Sequence, residues 1–180
     1  MKKIGKILVI GLAIAVSLCF TAPVSAESDL AIGGPASVDL DFQITIPTIL
    51  YLQVGTAGAT IDTVTFTVDD LPGTGAVAQN EAAIYVRAAG FVGSGSTMTL
   101  SSDSSSALTN GTDKIPFDEI SWAATGDFAG GAFDNGAAQK LDQFTGSGNR
   151  TGTYTFSYDN DTYYPTGTYT GTVTYTLSSP

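Results

Sequence analysis

The sequence predicts an all-β protein built as an antiparallel sandwich, and three features of the chain carry that expectation. From Val38 onward apolar residues recur at every second position, the period of a strand with one buried face. Clusters of Gly, Ser, Asn and Asp at 93–96, 101–106, 134–136 and 146–149 interrupt those runs as turns do. No stretch after residue 26 keeps a 3.6-residue apolar period for more than about two helical turns, so crossover helices are lacking and antiparallel pairing is expected.

The first 26 residues have the layout of a cleavable export signal. Lys2, Lys3 and Lys6 precede an apolar run of 14 residues from Ile7 to Phe20, and Val24, Ser25 and Ala26 supply the small residues of a cleavage site. A membrane span needs about 20 residues, and no later segment comes near that length. Cys19, the one cysteine, raises a lipid anchor as the rival reading, but Leu18 stands where a lipoprotein signal has a small side chain. Cleavage after Ala26 leaves 154 residues, enough for one domain with a sizeable core, and no cysteine, which excludes disulfides and thiolate chemistry. It removes three of the seven basic residues and no acidic one, leaving four against 17, a net charge of about −13. That balance speaks against nucleic acid or anionic lipid as a partner.

Residues 27–37 are polar, contain Gly33, Gly34 and Pro35, and read as a flexible lead, with residues 38–180 as one sandwich domain. Val38, Leu40, Phe42, Ile44 and Ile46 alternate with Asp39, Asp41, Gln43 and Thr45 up to Pro47. Val64, Phe66 and Val68 predict a further strand, as do Ile84 with Val86 and Met98 with Leu100. Ile115, Phe117, Ile120 and Trp122 read as core, and Ala137, Leu141 and Phe144 allow one short helix. Tyr154, Phe156 and Tyr158 define one late strand face, and Tyr169, Val173, Tyr175 and Leu177 another, alternating with threonines. Ten Thr and six Tyr in the last 30 residues favour a pleated, half-buried surface. Pro165, Thr166 and Gly167 mark a turn, which predicts a hairpin over 151–177 and a total of eight or nine short strands.

Histidine is absent, which removes the commonest general base and metal ligand and any Ser-His-Asp triad. Three carboxylate pairs remain, Asp69 with Asp70, Asp118 with Glu119, and Asp159 with Asp161. None has a diagnostic spacing, and adjacent strand residues point to opposite faces, so the expectation is no enzyme, no catalytic residue, no cofactor and no metal. Asp159, Asn160 and Asp161 offer oxygens to calcium, but the glycine and distal glutamate of a helical calcium loop are missing, and a solvated turn is the expected role. Asn110, Asn149 and Asn160 each open an Asn-x-Thr triplet, a weak signal for glycosylation. Tyr163 and Tyr164, just ahead of a turn, are the candidates for stacking on a glycan.

The longest alternating series follows directly on the flexible lead. Such a strand suits insertion into a second subunit, where it satisfies backbone hydrogen bonds and fills successive pockets with alternate side chains. The pocket-filling residues would be Val38, Leu40, Phe42, Ile44 and Ile46, each contributing about 1.5–3 kcal/mol when buried. The same alternation equally suits the first strand of the chain's own sandwich, and the pattern leaves both open.

The alternating start, running through Ile44, Ile46 and Pro47 into Leu50, Leu52 and Val54-Gly55, resembles the N-terminus of fimbrial subunits of the chaperone–usher type, in particular the archaic branch related to spore coat U proteins. The ending from Pro165-Thr166-Gly167 through Tyr169 and Val173 to Tyr175-Thr176-Leu177 resembles the closing strand of the same subunits. Ile115-Pro116-Phe117 and Ile120-Ser121-Trp122 are similar in style. Those families usually carry a disulfide that pins the first strand, for which this chain has no cysteine after residue 19. The resemblance implies an incomplete immunoglobulin-like sandwich completed by donor-strand exchange, with Tyr169, Val173, Tyr175 and Leu177 on the strand that a periplasmic chaperone and the acceptor groove engage. It further implies export through the inner membrane, transient residence in the periplasm, passage through an outer-membrane usher, and assembly with identical or related pilus subunits at the cell surface. The expected function is therefore a structural subunit of a bacterial pilus, serving adhesion or biofilm formation and meeting a host or matrix glycan. The alternative is a secreted monomeric carbohydrate-binding or adhesin module.

Overall fold

The structure, a computed structural model, describes residues 28–58 and 61–180. The candidate export signal and Cys19 lie outside the described residues. The chain divides between Ile44 and Thr45 into two units.

In the first unit the described residues carry no helix or strand. Residues 32–34 bend, and the Ser37 amide donates to a carboxylate oxygen of Asp29 at 3.2 Å. Val38, Leu40, Phe42 and Ile44 are 57%, 66%, 86% and 84% exposed.

The second unit is all-β. Its strands are β1 (Ile49–Val54), β2 (Val77–Ala78), β3 (Ile84–Phe91), β4 (Thr97–Asp103), β5 (Leu108–Asn110), β6 (Asp113–Ile115), β7 (Ile120–Ala124), β8 (Gly131–Ala132), β9 (Gln139–Thr145), β10 (Gly148–Tyr158) and β11 (Thr174–Ser178), with one 3-10 turn at Phe117–Glu119. Every pairing is antiparallel. One sheet runs β1-β3-β10-β7-β8 with β2 also on β10, a second runs β11-β4-β9, and β5 pairs β6. Val86, Ala88, Trp122, Tyr154 and Phe156 of the first sheet share one core with Met98, Leu100 and Phe144 of the second, the arrangement of a β-sandwich.

Trp122 lies in that core with Ile115, Phe117 and Ile120. Its ring centroid is 4.9 Å from that of Phe133 and 5.7 Å from that of Tyr154, and its Nε1 donates to the Ala129 carbonyl at 3.0 Å, so the indole is buried without an orphaned donor. Two glycines permit the close approaches on which the packing depends. A Cβ on Gly90 would stand 2.6 Å from the Ile49 carbonyl oxygen and 2.9 Å from Leu50, so β1 can lie on β3 in this register only because that atom is missing. At Gly152 a Cβ would meet the Thr125 carbonyl oxygen at 2.1 Å, and the open space lets the loop carry Phe128 against Phe144 and Tyr154.

Three sequence expectations are corrected. The helix over Ala137, Leu141 and Phe144 is strand β9: the register with β4 shifts between Leu100 and Ser101, and the extra residue in β9 is Leu141. A bulge therefore places Leu141 and Phe144 on one face three residues apart, a spacing that imitates a helix. The hairpin over 151–177 does not form. Both edges of β10 are taken, by β3 and β2 on one side and β7 on the other, so β11 crosses to the second sheet and pairs β4. Val64, Phe66 and Val68 keep an extended course without entering a ladder. One backbone bond, from Asn80 N–H to the Thr65 carbonyl at 2.9 Å, and side chains anchor them instead: Thr65 donates its N–H to the Glu81 carboxylate at 2.8 Å, and Asn80 Nδ2 donates to the hydroxyls of Thr65 and Thr67. Phe66 packs 6.2 Å from the Tyr158 ring.

Candidate functional site

The candidate site is the side of the sandwich where each sheet ends in a strand with a single partner. Among the described residues β1 pairs only β3, and β11 pairs only β4. The two strands approach one another across the sandwich. Leu50, Leu52 and Val54 of β1 and Tyr175 and Leu177 of β11 pack against the core but stay half-buried, because no further strand covers them among the described residues. Thr174, Thr176 and Ser178 alternate with them and are exposed. The outer edge of β11 thus presents backbone groups with no ladder among the described residues, next to apolar side chains incompletely removed from water.

Behind this side the core holds buried hydroxyls, Ser102 opposite Tyr175 among them. The Tyr154 hydroxyl is buried with no hydrogen-bond partner among the described residues. Burial, and secondarily the charge of Asp142, raises its pKa above the usual phenol range. Burial also raises that of Tyr175, with Tyr154 adding to the effect.

The structure brings together only part of the expected site. Tyr175 and Leu177 lie in β11, whereas Tyr169 and Val173 precede it. The Tyr169 hydroxyl donates to the Pro165 carbonyl at 2.9 Å, and its ring meets Tyr164 edge-on. Val38, Leu40, Phe42 and Ile44 belong to the first unit; Ile46 precedes β1 and is 68% exposed. The expected site omits its second wall, Leu50, Leu52 and Val54, whose signal is the continuation of the alternation beyond Pro47.

Tyr163 and Tyr164 do not form a joint platform. Tyr163 is exposed, whereas Tyr164 is half-buried and donates its hydroxyl to Glu119 Oε1 at 2.9 Å. Burial, followed by that carboxylate, pushes the Tyr164 pKa up to about 12. Asn160 is buried: its Nδ2 donates to the carbonyls of Asp70 and Leu71 at 3.3 Å each, and its own carbonyl accepts from Gly73 N at 2.7 Å. It ties two loops together, which closes its Asn-x-Thr triplet to modification in the folded chain. Asp118 and Glu119 sit in the 3-10 turn, and the Asp70 side chain caps the Leu71 amide. Among the described residues no three His, Cys, Asp or Glu side chains converge as a metal site requires, and no helix is long and apolar enough to cross a membrane. No known family model, no curated protein and no solved structure matches this chain.

Proposed function

We propose that this chain is a structural subunit of a bacterial surface fibre that polymerises by strand exchange. The observation that carries the reading is the pairing of two complementary features. One is the half-buried apolar side between β1 and β11, where the edge of β11 lacks a ladder among the described residues. The other is the series Val38, Leu40, Phe42, Ile44 and Ile46, 57–86% exposed and outside any strand of its own chain. A segment of exposed alternating hydrophobes and a sandwich with an unfilled edge are what donor and acceptor need for β-strand addition.

The order of strands supports the same reading. Read in this way, β1-β3-β10-β7 takes the order A-B-E-D of an immunoglobulin-like sandwich and β11-β4 the order F-C, with G, whose place is beside F, lacking a counterpart; β9, on the other edge of β4, is an addition to that order. In this reading Leu50, Leu52, Tyr175 and Leu177 line the acceptor groove. The five hydrophobes of the next subunit fill it. A periplasmic chaperone that covers the groove before assembly, an outer-membrane usher, and display at the cell surface are parts of the same proposal.

The test compares the chain from residue 27 onward with one lacking residues 27–46, by size and by electron microscopy. Filaments from the first, and a monomer from the second that gains order when a peptide of residues 36–47 is added, are the expected result. A longer chain that stays a stable monomer overturns the proposal. In the longer chain Phe42→Asp places an uncompensated charge in an apolar pocket, at a cost of several kcal/mol to each junction. Fibres are expected to disappear while the monomer melts unchanged, because Phe42 is 86% exposed in its own chain.

A further inference from the structure

The outer face of the larger sheet takes no part in strand exchange and differs chemically from the rest of the molecule. β1, β2, β3, β7, β8 and β10 contain none of the 17 acidic residues, and Arg87 is the cation on their outer face; Arg150 stands opposite the buried Ala88 and lies over the Phe144 ring, on the other side of the sheet. Pairing fixes the layout of that face. Ile49 stands opposite Phe91, Tyr51 opposite Ala89 and Gln53 opposite Arg87, while Asn149, Thr151 and Thr153 of β10 flank Ala89, Arg87 and Tyr85. Ile49, Tyr51, Tyr85 and Phe91 are 50%, 44%, 40% and 56% exposed.

Arg87 is held in place by neutral groups. Its guanidinium lies over the Tyr51 ring, 5.2 Å from the centroid, and its Nε donates to Asn149 Oδ1 at 2.7 Å. The Tyr51 hydroxyl donates to Gln53 Oε1 at 3.0 Å. These contacts use the flat face and the Nε of the guanidinium; its two terminal amino groups are the fork that grips a carboxylate. Tyr85 stands opposite Gly55, four residues along the strand from Tyr51, or about 14 Å at the rise of an antiparallel strand. Two exposed aromatic rings are thus separated by a positive, amide-rich interval, a span suited to a chain molecule and too long for a single sugar.

We infer that this face binds an acidic polysaccharide, with Tyr51 and Tyr85 stacking on sugar rings and Arg87 gripping a sugar carboxylate. Aromatic faces interleaved with Gln53, Asn149, Thr151 and Thr153 offer stacking and hydrogen bonds in the alternation that a polyhydroxylated ligand uses. The same interleaving divides the apolar area that the core of a contact with a second copy would need. Charge complementarity selects an anionic sugar: the protein is strongly acidic elsewhere, and this sheet alone has been kept free of carboxylates. At physiological salt the Debye length is about 8 Å, so acids on distant loops are screened from a ligand lying here. At one end of the face Gln53 and Tyr85 line a cavity of about 420 Å³ together with Asp62 and Glu81, so an anionic chain is expected to run from Tyr85 towards Arg87 and Tyr51, away from those two carboxylates.

The experiment is native affinity electrophoresis at physiological salt in gels containing polygalacturonate, with neutral dextran as the companion polymer. The protein carries Phe42→Asp throughout, so that the readout is independent of fibre formation. Retardation by polygalacturonate but not by dextran is expected, falling at least tenfold in affinity in Arg87→Gln and severalfold in Tyr85→Ala, with thermal melts verifying that both variants fold. Equal retardation by the two polymers, no retardation by either, or full retention in Arg87→Gln overturns the inference. So does loss of binding in Tyr163→Ala alone, which places the site elsewhere, or a concentration-dependent dimer abolished by Arg87→Gln, which makes the face a contact between copies.

Discussion

Residues 38–46 and β1, which begins at Ile49, both set apolar side chains at every second position and differ in outcome. Val38, Leu40, Phe42, Ile44 and Ile46 are without strand and exposed, whereas Leu50, Leu52 and Val54 pair β3 and pack on the core. Pro47, with no N–H to give a ladder, lies between them. The difference lies in the partner. β1 meets a strand in which Ala88, Ala89 and Gly90 are small enough for its backbone to approach, and residues 38–44 form no pairing among the described residues. Alternation confers the capacity to pair; a fitted neighbour decides whether it is used. Residues 64–68 are intermediate: Val64 and Phe66 are half-buried while Val68 is exposed, and one backbone hydrogen bond from Asn80 with the side chains of Asn80 and Glu81 anchors them in place of a ladder.

The sharpest way to break this contrast is at Gly90. Gly90→Val drives a side chain into the Ile49 carbonyl and Leu50, and is expected to lower stability by about 3 kcal/mol or more in urea unfolding. Gly34→Ala, where an added Cβ meets nothing, should stay within about 0.5 kcal/mol. A smaller effect separates matched leucines. Leu52→Ala is expected to cost about 1–2 kcal/mol in the monomer, less than a fully buried leucine because Leu52 is half-buried. Leu40→Ala should leave the monomer unchanged and weaken fibres only. Equal loss from both leucines would erase the distinction between the two segments.

The smallest expected effect concerns the intermediate segment and depends on pH. The side-chain and backbone hydrogen bonds from Thr65 hold the Glu81 carboxyl below its ordinary pKa of 4.5. A depressed folded-state pKa means that the anchoring is fully present above the unfolded value and is lost as the pH falls through the folded one. The protection of the Thr65 amide, its exchange relative to the intrinsic rate at each pH, should therefore fall as the pH drops below 4.5 and through the lower folded-state value, with the protection of β1 amides unaffected. In Glu81→Gln the Thr65 amide should exchange without that pH dependence.

Much of the fold was legible because strand formation leaves a local trace: side chains alternate, so Val86, Met98, Leu100, Tyr154, Phe156 and Tyr158 could be assigned to the interior from spacing alone. The misread elements all involve pairing. Leu141 and Phe144 imitate a helix because a bulge displaces one of them, and residues 151–177 suggest a hairpin because nothing local reveals that both edges of β10 are occupied. The candidate site divides in the same way. Tyr175 and Leu177 are readable from alternation, but their half-buried state depends on what fails to cover them, and Tyr169 is diverted to Pro165.

The outer face of the larger sheet makes the same point. Tyr51, Arg87 and Asn149 are far apart in sequence, and only the antiparallel register gathers them on one carbon-and-amide surface free of acids. The sequence by itself determined that the chain is all-β, which side chains face inward, and that one alternating segment lies ahead of Pro47. Which strands become neighbours, which edges stay open and where exposed aromatics meet a cation were decided by tertiary structure, since each depends on backbone hydrogen bonds between residues tens of positions apart, and those bonds carry no local signature.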